Sequence, residues 1–168
     1  RKRNRTSHGL CESGISPEKT FVCEGKTEVD GRVYKCHWES GHGEIDMKKA
    51  LEISCNPYFI NLALEIGGEK ILETAKNLGF GNKTDFGDKF YSAAGNLPSE
   101  DELLSKTVLS SFAFGQGSLM ATPIQLAVLA SAIANGGKAV TPKLILGTYD
   151  KNGVWSETPD YSENPVMS

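Results

Sequence analysis

The sequence predicts an α+β fold with a helical centre and β-hairpins towards both ends. Apolar residues recur at helical spacing between Asp46 and Gly137, in segments that begin at capping residues and stop at glycines. Two dipeptides that are typical of tight hairpin turns, Asp30-Gly31 and Asn152-Gly153, lie on either side of that region. With 168 residues, the chain is long enough for one domain with a substantial core.

The composition is that of an ordinary globular protein, with 39% hydrophobic residues, 23% charged residues and a net charge of −3. The basic run Arg1–Arg5 contains no aromatic residue, which favours a solvated terminus over a nucleic-acid surface. No stretch reaches the roughly 18 apolar residues that a membrane span needs. We therefore expect no nucleic-acid partner, no membrane segment in this chain, and a poorly ordered or non-native terminus over residues 1–13.

The first hairpin is predicted over about 21–37, around the Asp30-Gly31 turn. The stretch WESGHGEID that follows indicates a glycine-punctuated loop. It leads into a short helix from about Asp46 to Ile53, with the Asp46 carboxylate near the helix N-terminus, where a negative charge is favoured.

The next helix has clear start signals, because Asn56 is a good N-cap and Pro57 suits the first helical position. This helix is predicted to end at Gly67-Gly68, and another helix covers about 69–78. Residues 80–98 form a glycine-rich loop.

The segment SEDE at Ser99–Glu102 is a capping box that begins a further helical region. The segment TPIQLAVLASAIANGG then predicts a helix that is capped by Thr122 and apolar nearly all round, which indicates full burial. Beyond it, KLILGTYDKNGVW predicts a second hairpin over about 143–156.

The cysteines leave two kinds of site open. Cys23 and Cys36 flank the first hairpin turn, so they are candidates for a disulfide in an oxidising compartment. The alternative is zinc bound by Cys23 and Cys36 with His37 or His42, but the spacing is not that of a CxxC motif and we expect no metal. Cys55 is predicted to be a buried free thiol, and His42 to stabilise its loop.

Two short motifs are weak alone. Ser54-Cys-Asn56 is distinguished from the equally matching Ser162-Glu-Asn164 only because it lies at a turn between two predicted helices. The glycines of Gly115-Gln116-Gly117 follow a helix rather than a strand, which argues against a phosphate-binding loop. They are interpreted as allowing close backbone packing.

Together, however, longer segments resemble one family. KCHWESGHGEIDMKKALEISCNPYF, LGFGNKTDFGD, GNLPS and SFAFGQGSLMATPIQLAVLASAIANGG follow one another in the order found in the transpeptidase domain of class B penicillin-binding proteins. The resemblance runs from about Gly14 to Pro142, and members from bacilli and clostridia, including sporulation-specific ones, are the most similar. It implies that residues 14–168 are a partial transpeptidase domain, the mainly helical lobe of the penicillin-binding transpeptidase/serine β-lactamase-like fold with an incomplete central sheet.

The resemblance also implies an activity. Family members acylate a serine with the D-Ala-D-Ala end of a peptidoglycan stem peptide and pass the acyl group to an amine, and β-lactams trap the same serine. By similarity, Ser54 and Asn56 are the catalytic Ser-x-Asn motif, in which the serine hydroxyl relays a proton and the amide binds substrate. Gly115, Gln116 and Gly117 are implied to border the substrate cleft.

Two of the three family motifs are missing. Ser16-Pro-Glu-Lys19 spells Ser-x-x-Lys, but the strand-like TFVCEG follows it instead of an apolar helix. Lys83-Thr-Asp85 and Lys106-Thr-Val108 lack the glycine of Lys-Thr-Gly. We therefore expect an internal fragment that is inactive alone.

Two alternatives to a transpeptidase stay open at this point. One is a non-catalytic interaction module, in which the helical lobe serves as a scaffold. The other is a serine β-lactamase relative, for which Asp85 and Asp88 are the nearest candidate carboxylates.

The resemblance implies partners and a location for the longer protein. The partners are peptidoglycan stem peptides and β-lactams, with cell-wall synthesis or sporulation proteins as further candidates, and no cofactor is expected. The location is the extracytoplasmic face of the bacterial membrane, with an anchoring helix outside this chain.

Overall fold

The structure, a computed structural model, describes residues 15–86, 90–157 and 163–165. The terminus predicted over residues 1–13 lies outside the described residues. The helices are α1 (Met47–Glu52), α2 (Asn56–Ile66), α3 (Gly68–Asn77), α4 (Glu100–Leu103), α5 (Lys106–Ala113) and α6 (Pro123–Ala134). None of these helices is both long enough and apolar enough to cross a bilayer.

The described strands form four antiparallel pairs. The strands are β1 (Phe21–Cys23), β2 (Lys26–Val29), β3 (Arg32–Lys35), β4 (Gly43–Ile45), β5 (Lys138–Val140), β6 (Gly147–Tyr149), β7 (Trp155–Glu157) and β8 (Glu163–Pro165). The pairs are β1 with β4, β2 with β3, β5 with β8 and β6 with β7. The predicted α+β class is confirmed.

The first predicted hairpin is present but shorter. A two-residue turn of Asp30 and Gly31 connects β2 to β3. Their φ angles of 48° and 80° are both positive, as a type I′ hairpin turn requires. Phe21 and Val22 belong instead to β1, which pairs with β4 in the stretch that the sequence indicated as a loop. That loop assignment was wrong because the pairing joins segments about 20 residues apart, beyond the reach of a local turn signal.

Helix starts follow the sequence signals with one correction. Asp46 caps α1 by accepting a hydrogen bond from the Lys49 amide at 2.8 Å. Asn56 is the first residue of α2 rather than its cap, and Cys55 occupies the N-cap position without a side-chain hydrogen bond. The side chain of Asn56 is therefore not used for capping.

Contacts divide the chain into two compact units, one of Arg1–Thr74 with Leu97–Leu119, the other of Ala75–Asn96 with Met120–Ser168. In the first unit, Tyr58 of α2 is 1% exposed; its ring contacts Phe21 edge-on and its hydroxyl donates to the carbonyl of Lys19 at 2.8 Å. A second cluster joins α2 to the hairpin through Ile60, Val29 and Tyr34. These contacts fix α2 against the strands, and with it the turn that precedes α2.

The second unit is organised around Gln125 of α6, which is 2% exposed. Its Nε2 atom donates to the carbonyls of Gly79, Asn82 and Ala94 at 2.9–3.0 Å, while its Oε1 atom completes the predicted capping box with the Thr122 amide at 2.9 Å. One side chain thus ties the glycine-rich loop to α6.

The prediction that α6 is fully buried was wrong. Only Gln125 and Ala132 are buried, whereas Leu126 and Ile133 are each about half exposed. Composition alone misled because it cannot tell which faces of an apolar helix receive neighbours within a given chain.

Two further predictions concern boundaries. The capping box of Ser99 and Glu102 is present, but α4 is a single turn. The helix is interrupted before α5 starts at Lys106, and Leu104 is 82% exposed. The second hairpin forms as β6–β7. Its loop is longer than the predicted Asn152-Gly153 turn, because the Asp150 carboxylate accepts from the amides of Asn152 and Val154.

Candidate functional site

Ser54 lies at the turn between α1 and α2 and has a backbone conformation that serine rarely adopts. Its φ is 52°, and its amide donates to the carbonyl of Leu51, while the amide of Cys55 donates to the carbonyl of Ala50 at 2.9 Å. This pair of bonds is the Schellman ending of a helix, in which the left-handed position is usually glycine. The side chain of Ser54 is exposed.

Three other described helices end with the same long-range amide bond, and each places glycine at the left-handed position. Gly79 follows α3, Gly115 follows α5 and Gly136 follows α6, with φ of 85°, 77° and 68°. Among the described residues, only Asp30 and Ser54 have a positive φ without being glycine. A side chain in this region costs about 1–2 kcal/mol, which makes Ser54 a candidate functional residue.

Asn56 projects from the first turn of α2, two positions after Ser54. It is half-buried, and its Nδ2 atom donates to the carbonyl of Lys35 at 3.4 Å. The bond holds the carboxamide beside the end of β3. Ser54 and Asn56 therefore lie on one short turn between two packed helices, as the sequence predicted.

Gly115, Gln116 and Gly117 follow α5, and the interpretation of close packing was wrong for Gly115. A Cβ atom at Gly115 would meet nothing within 4 Å, so the glycine is needed for its φ and not for space. Gln116 and Gly117 line a pocket of about 240 Å³ together with residues of α5, such as Thr107 and Ser111. Ser54 and Asn56 do not line this pocket, so a shared substrate cleft stays a prediction.

The rejected motifs have unremarkable settings. Ser16–Lys19 forms a turn before β1, closed by a bond from the Lys19 amide to the Ser16 carbonyl, and it does not begin a helix. Lys106 is the first residue of α5, and Asp85 pairs with Tyr91 in an isolated bridge. Asp88 lies outside the described residues.

The cysteines form a cluster that the sequence only partly anticipated. Cys23, Cys36 and Cys55 are buried free thiols, and their sulfurs lie with a ring nitrogen of His42 within 4.8 Å of one another. The prediction for Cys55 as a buried thiol agrees with this, but its place beside the other two was missed. The disulfide between Cys23 and Cys36 stays a prediction. The sequence indicated only that Cys55 lies on the turn of Ser54 and Asn56, and it did not indicate that this turn approaches Cys23 and Cys36.

Protonation within the cluster is uneven. Burial raises the pKa of the Cys55 thiol to about 12. Burial also acts to raise the pKa of the Cys23 thiol, but the nearby backbone amides of Gly25 and His42 and the thiols of Cys55 and Cys36 together lower that pKa. The pKa of His42 is lowered by burial and by the charges of His37 and Lys49, so its ring is neutral near pH 7.

The chain belongs to the penicillin-binding protein transpeptidase domain family, whose sequence model matches residues 6–168. The predicted resemblance is thereby confirmed.

Relatives and solved structures agree. Stage V sporulation protein D of Bacillus subtilis is 35% identical over 122 residues, which cover 73% of this chain and 18% of that protein. Peptidoglycan D,D-transpeptidase MrdA of Acinetobacter baumannii is 31% identical over 135 residues, covering 71% and 19%. The structure of penicillin-binding protein 3 from Mycobacterium tuberculosis complexed with aztreonam has a TM-score of 0.82 at 26% identity, covering 98% of this chain and 36% of that one. The chain thus spans about a fifth of the length of these curated relatives.

Proposed function

We propose that the protein of which this chain is a part is a peptidoglycan D,D-transpeptidase that β-lactams acylate, and that Ser54 and Asn56 belong to its active site. Family membership supports the reaction class. The observation that carries the assignment of the site is the side chain at Ser54, in a Schellman helix ending whose three other described examples have glycine at that position.

Acylation of the nucleophilic serine requires the transfer of a proton to the leaving nitrogen. When the nucleophilic serine attacks the D-Ala carbonyl, the bond to the terminal D-Ala breaks and its nitrogen must gain a proton. The Ser54 hydroxyl accepts one proton and donates another, so it can relay between the lysine of a Ser-x-x-Lys segment and that nitrogen. A second stem-peptide amine then attacks the acyl group and frees the nucleophile.

Asn56 contributes orientation. Its carboxamide has two donor hydrogens and a carbonyl oxygen, and the contact with the Lys35 carbonyl uses only one of the hydrogens. The remaining donor and the oxygen are free to bind the amide of a peptide substrate and the lysine. Both residues sit on a turn clamped between packed helices, which limits how far either group can drift.

The reaction sets the location. Peptidoglycan is cross-linked outside the cytoplasm, so we place the longer protein at the extracytoplasmic face of the membrane. One relative is named as a sporulation protein and another as a peptidoglycan D,D-transpeptidase, which makes wall-synthesis or sporulation proteins its candidate partners.

Labelling by a fluorescent penicillin tests the proposal, in the longer protein that carries this chain together with a Ser-x-x-Lys and a Lys-Thr-Gly segment. Ser54→Gly removes the hydroxyl without straining the backbone. We expect it to slow acylation by about 100-fold or more, the scale of a lost acid–base group. Asn56→Ala should also slow acylation, with an unchanged melting temperature.

Ser16→Ala is the matched control, since Ser16 belongs to the rejected Ser-x-x-Lys match and should leave the rate unchanged. The isolated 168-residue chain should form no adduct. Acylation of the Ser54→Gly protein at the wild-type rate would remove Ser54 from the site. The absence of any adduct in the longer protein would favour an interaction module.

A further inference from the structure

Four potential metal ligands converge in the first unit from four separate elements. Cys23 ends β1, Cys36 follows β3, His42 precedes β4 and Cys55 occupies the N-cap position of α2. Their ligand atoms all lie within 4.8 Å of one another, and the three cysteines are at most 5% exposed. We propose that Cys23, Cys36, His42 and Cys55 bind one zinc ion as a structural site, contrary to the expectation from sequence that the chain holds no metal.

The distances are close to those of a zinc tetrahedron. With Zn–S bonds of about 2.3 Å and a Zn–N bond of about 2.0 Å, the sulfurs lie about 3.8 Å apart and each sulfur about 3.5 Å from the nitrogen. The Sγ atom of Cys36 and the Nδ1 atom of His42 are already 3.5 Å apart. The widest pair exceeds the ideal separation by about 1 Å, which small side-chain rotations can remove.

The donor set favours zinc over other metals. Three thiolates and one imidazole fill all four positions of a closed structural zinc site, whereas magnesium and calcium prefer oxygen ligands. On binding, the three thiols release their protons to solvent and nothing is oxidised. The resulting centre carries one net negative charge. A disulfide would use only two of the three sulfurs and would require an oxidant.

The backbone around the cluster is already shaped as a cage. A Cβ atom at Gly25 would collide with the carbonyl of Glu39, and one at Gly41 with the carbonyl of Cys23. The loops that carry Cys23 and His42 therefore pack backbone against backbone.

Through Cys55, the metal site also affects the turn that carries Ser54 and Asn56. Cys55 lies between Ser54 and Asn56, so a metal held by Cys55 ties their turn to the strands that carry Cys23 and Cys36. The metal site itself does not depend on the proposed transpeptidase activity, because its ligands and their geometry stand without it.

Metal titration of the reduced, metal-free chain tests the inference without any penicillin. We expect Co²⁺ to bind one equivalent, with the intense visible bands of tetrahedral thiolate coordination, and Zn²⁺ to displace it. His42→Gln should weaken zinc binding by at least about 10-fold, while His37→Gln, a change in the neighbouring imidazole outside the ligand set, should not. Cys11→Ser should likewise retain one equivalent.

Three results would overturn the inference. One is a wild-type reduced chain that binds no cobalt or gives only an octahedral spectrum. Another is an equal loss of affinity in His37→Gln and His42→Gln. The third is the loss of two hydrogen masses from the chain prepared without reductant, with no metal uptake after reduction, which would assign the cluster to a disulfide. Since no acylation is measured, a failure of the proposed function leaves these results unaffected.

Discussion

Replacing Ser54 by glycine should stabilise the fold while it removes the proposed catalytic hydroxyl. The perturbation is confined to one side chain, because Ser54 is exposed and its hydroxyl has no partner among the described residues. The left-handed backbone costs a residue with a Cβ atom about 1–2 kcal/mol. Glycine escapes that cost but loses about 0.5–1 kcal/mol more in chain entropy on folding. The difference leaves a gain of about 0.5–1 kcal/mol in the free energy of unfolding.

Two matched variants isolate the backbone effect. Ser54→Ala removes the hydroxyl but keeps the Cβ atom, so its free energy of unfolding should stay near that of the wild type. Gly115→Ser makes the reverse change in the same kind of helix ending, where an added Cβ atom meets nothing within 4 Å. It should destabilise by about the amount that Ser54→Gly gains.

Urea denaturation followed by circular dichroism measures these differences. A gain of 1 kcal/mol corresponds to a rise of about 2–4 °C in the melting temperature for a chain of this size. If Ser54→Gly is less stable than the wild type while Gly115→Ser is neutral, the left-handed conformation is not what costs energy. Strong destabilisation by Ser54→Ala would mean that the hydroxyl makes a structural contact instead.

Three further outcomes follow from other side chains. Gln125→Glu replaces the buried donor to three backbone carbonyls by a carboxylate and should cost about 3–5 kcal/mol in urea denaturation, whereas the same change at exposed Gln116 should cost under about 0.5 kcal/mol. Ser110 is fully buried and its Oγ atom has no partner among the described residues, so Ser110→Ala should stabilise by about 1 kcal/mol; Ser111→Ala, which loses a bond to a backbone carbonyl, should destabilise. Hydrogen bonds from the Val154 and Asn152 amides lower the pKa of Asp150, so its contribution to hairpin stability is full above about pH 4 and is lost as the pH falls through that lowered pKa; an Asp150→Asn chain should show no such loss by NMR.

The sequence predicted the elements whose signals are local. The Ser99 and Thr122 caps accept the expected hydrogen bonds, Asp46 lies at the helix N-terminus as expected, and the Asp30-Gly31 turn closes the expected hairpin. In each case the residue type and its partner lie within four positions, so a single stretch carries the whole instruction. The position of the Ser54 turn was predictable for the same reason, since a stop and a start signal adjoin there.

The features that were missed depend on contacts between distant segments. The β1–β4 pair joins Phe21 to Ile45, and nothing in either stretch specifies the other. The partial exposure of α6 depends on which elements cover it, which its uniform apolar pattern does not encode. The cysteine cluster needs Cys55 to be carried to β1 and β3 by the packing of Tyr58, an event that no spacing rule within the chain expresses.

Distant contacts, rather than the Ser-x-Asn pattern itself, distinguish the Ser54–Asn56 turn. A second Ser-x-Asn match, at Ser162, shows how little the pattern alone specifies. What singles out the first match is that three constraints meet on it: the Schellman bonds to α1, the packing of α2 and the burial of Cys55. A turn fixed from three sides can hold a strained serine in place, and without them the left-handed conformation would relax. The conformational cost at Ser54 and the burial of Cys55 therefore belong together. The packed core around Cys55 holds Ser54 in a backbone conformation that the turn would not maintain by itself.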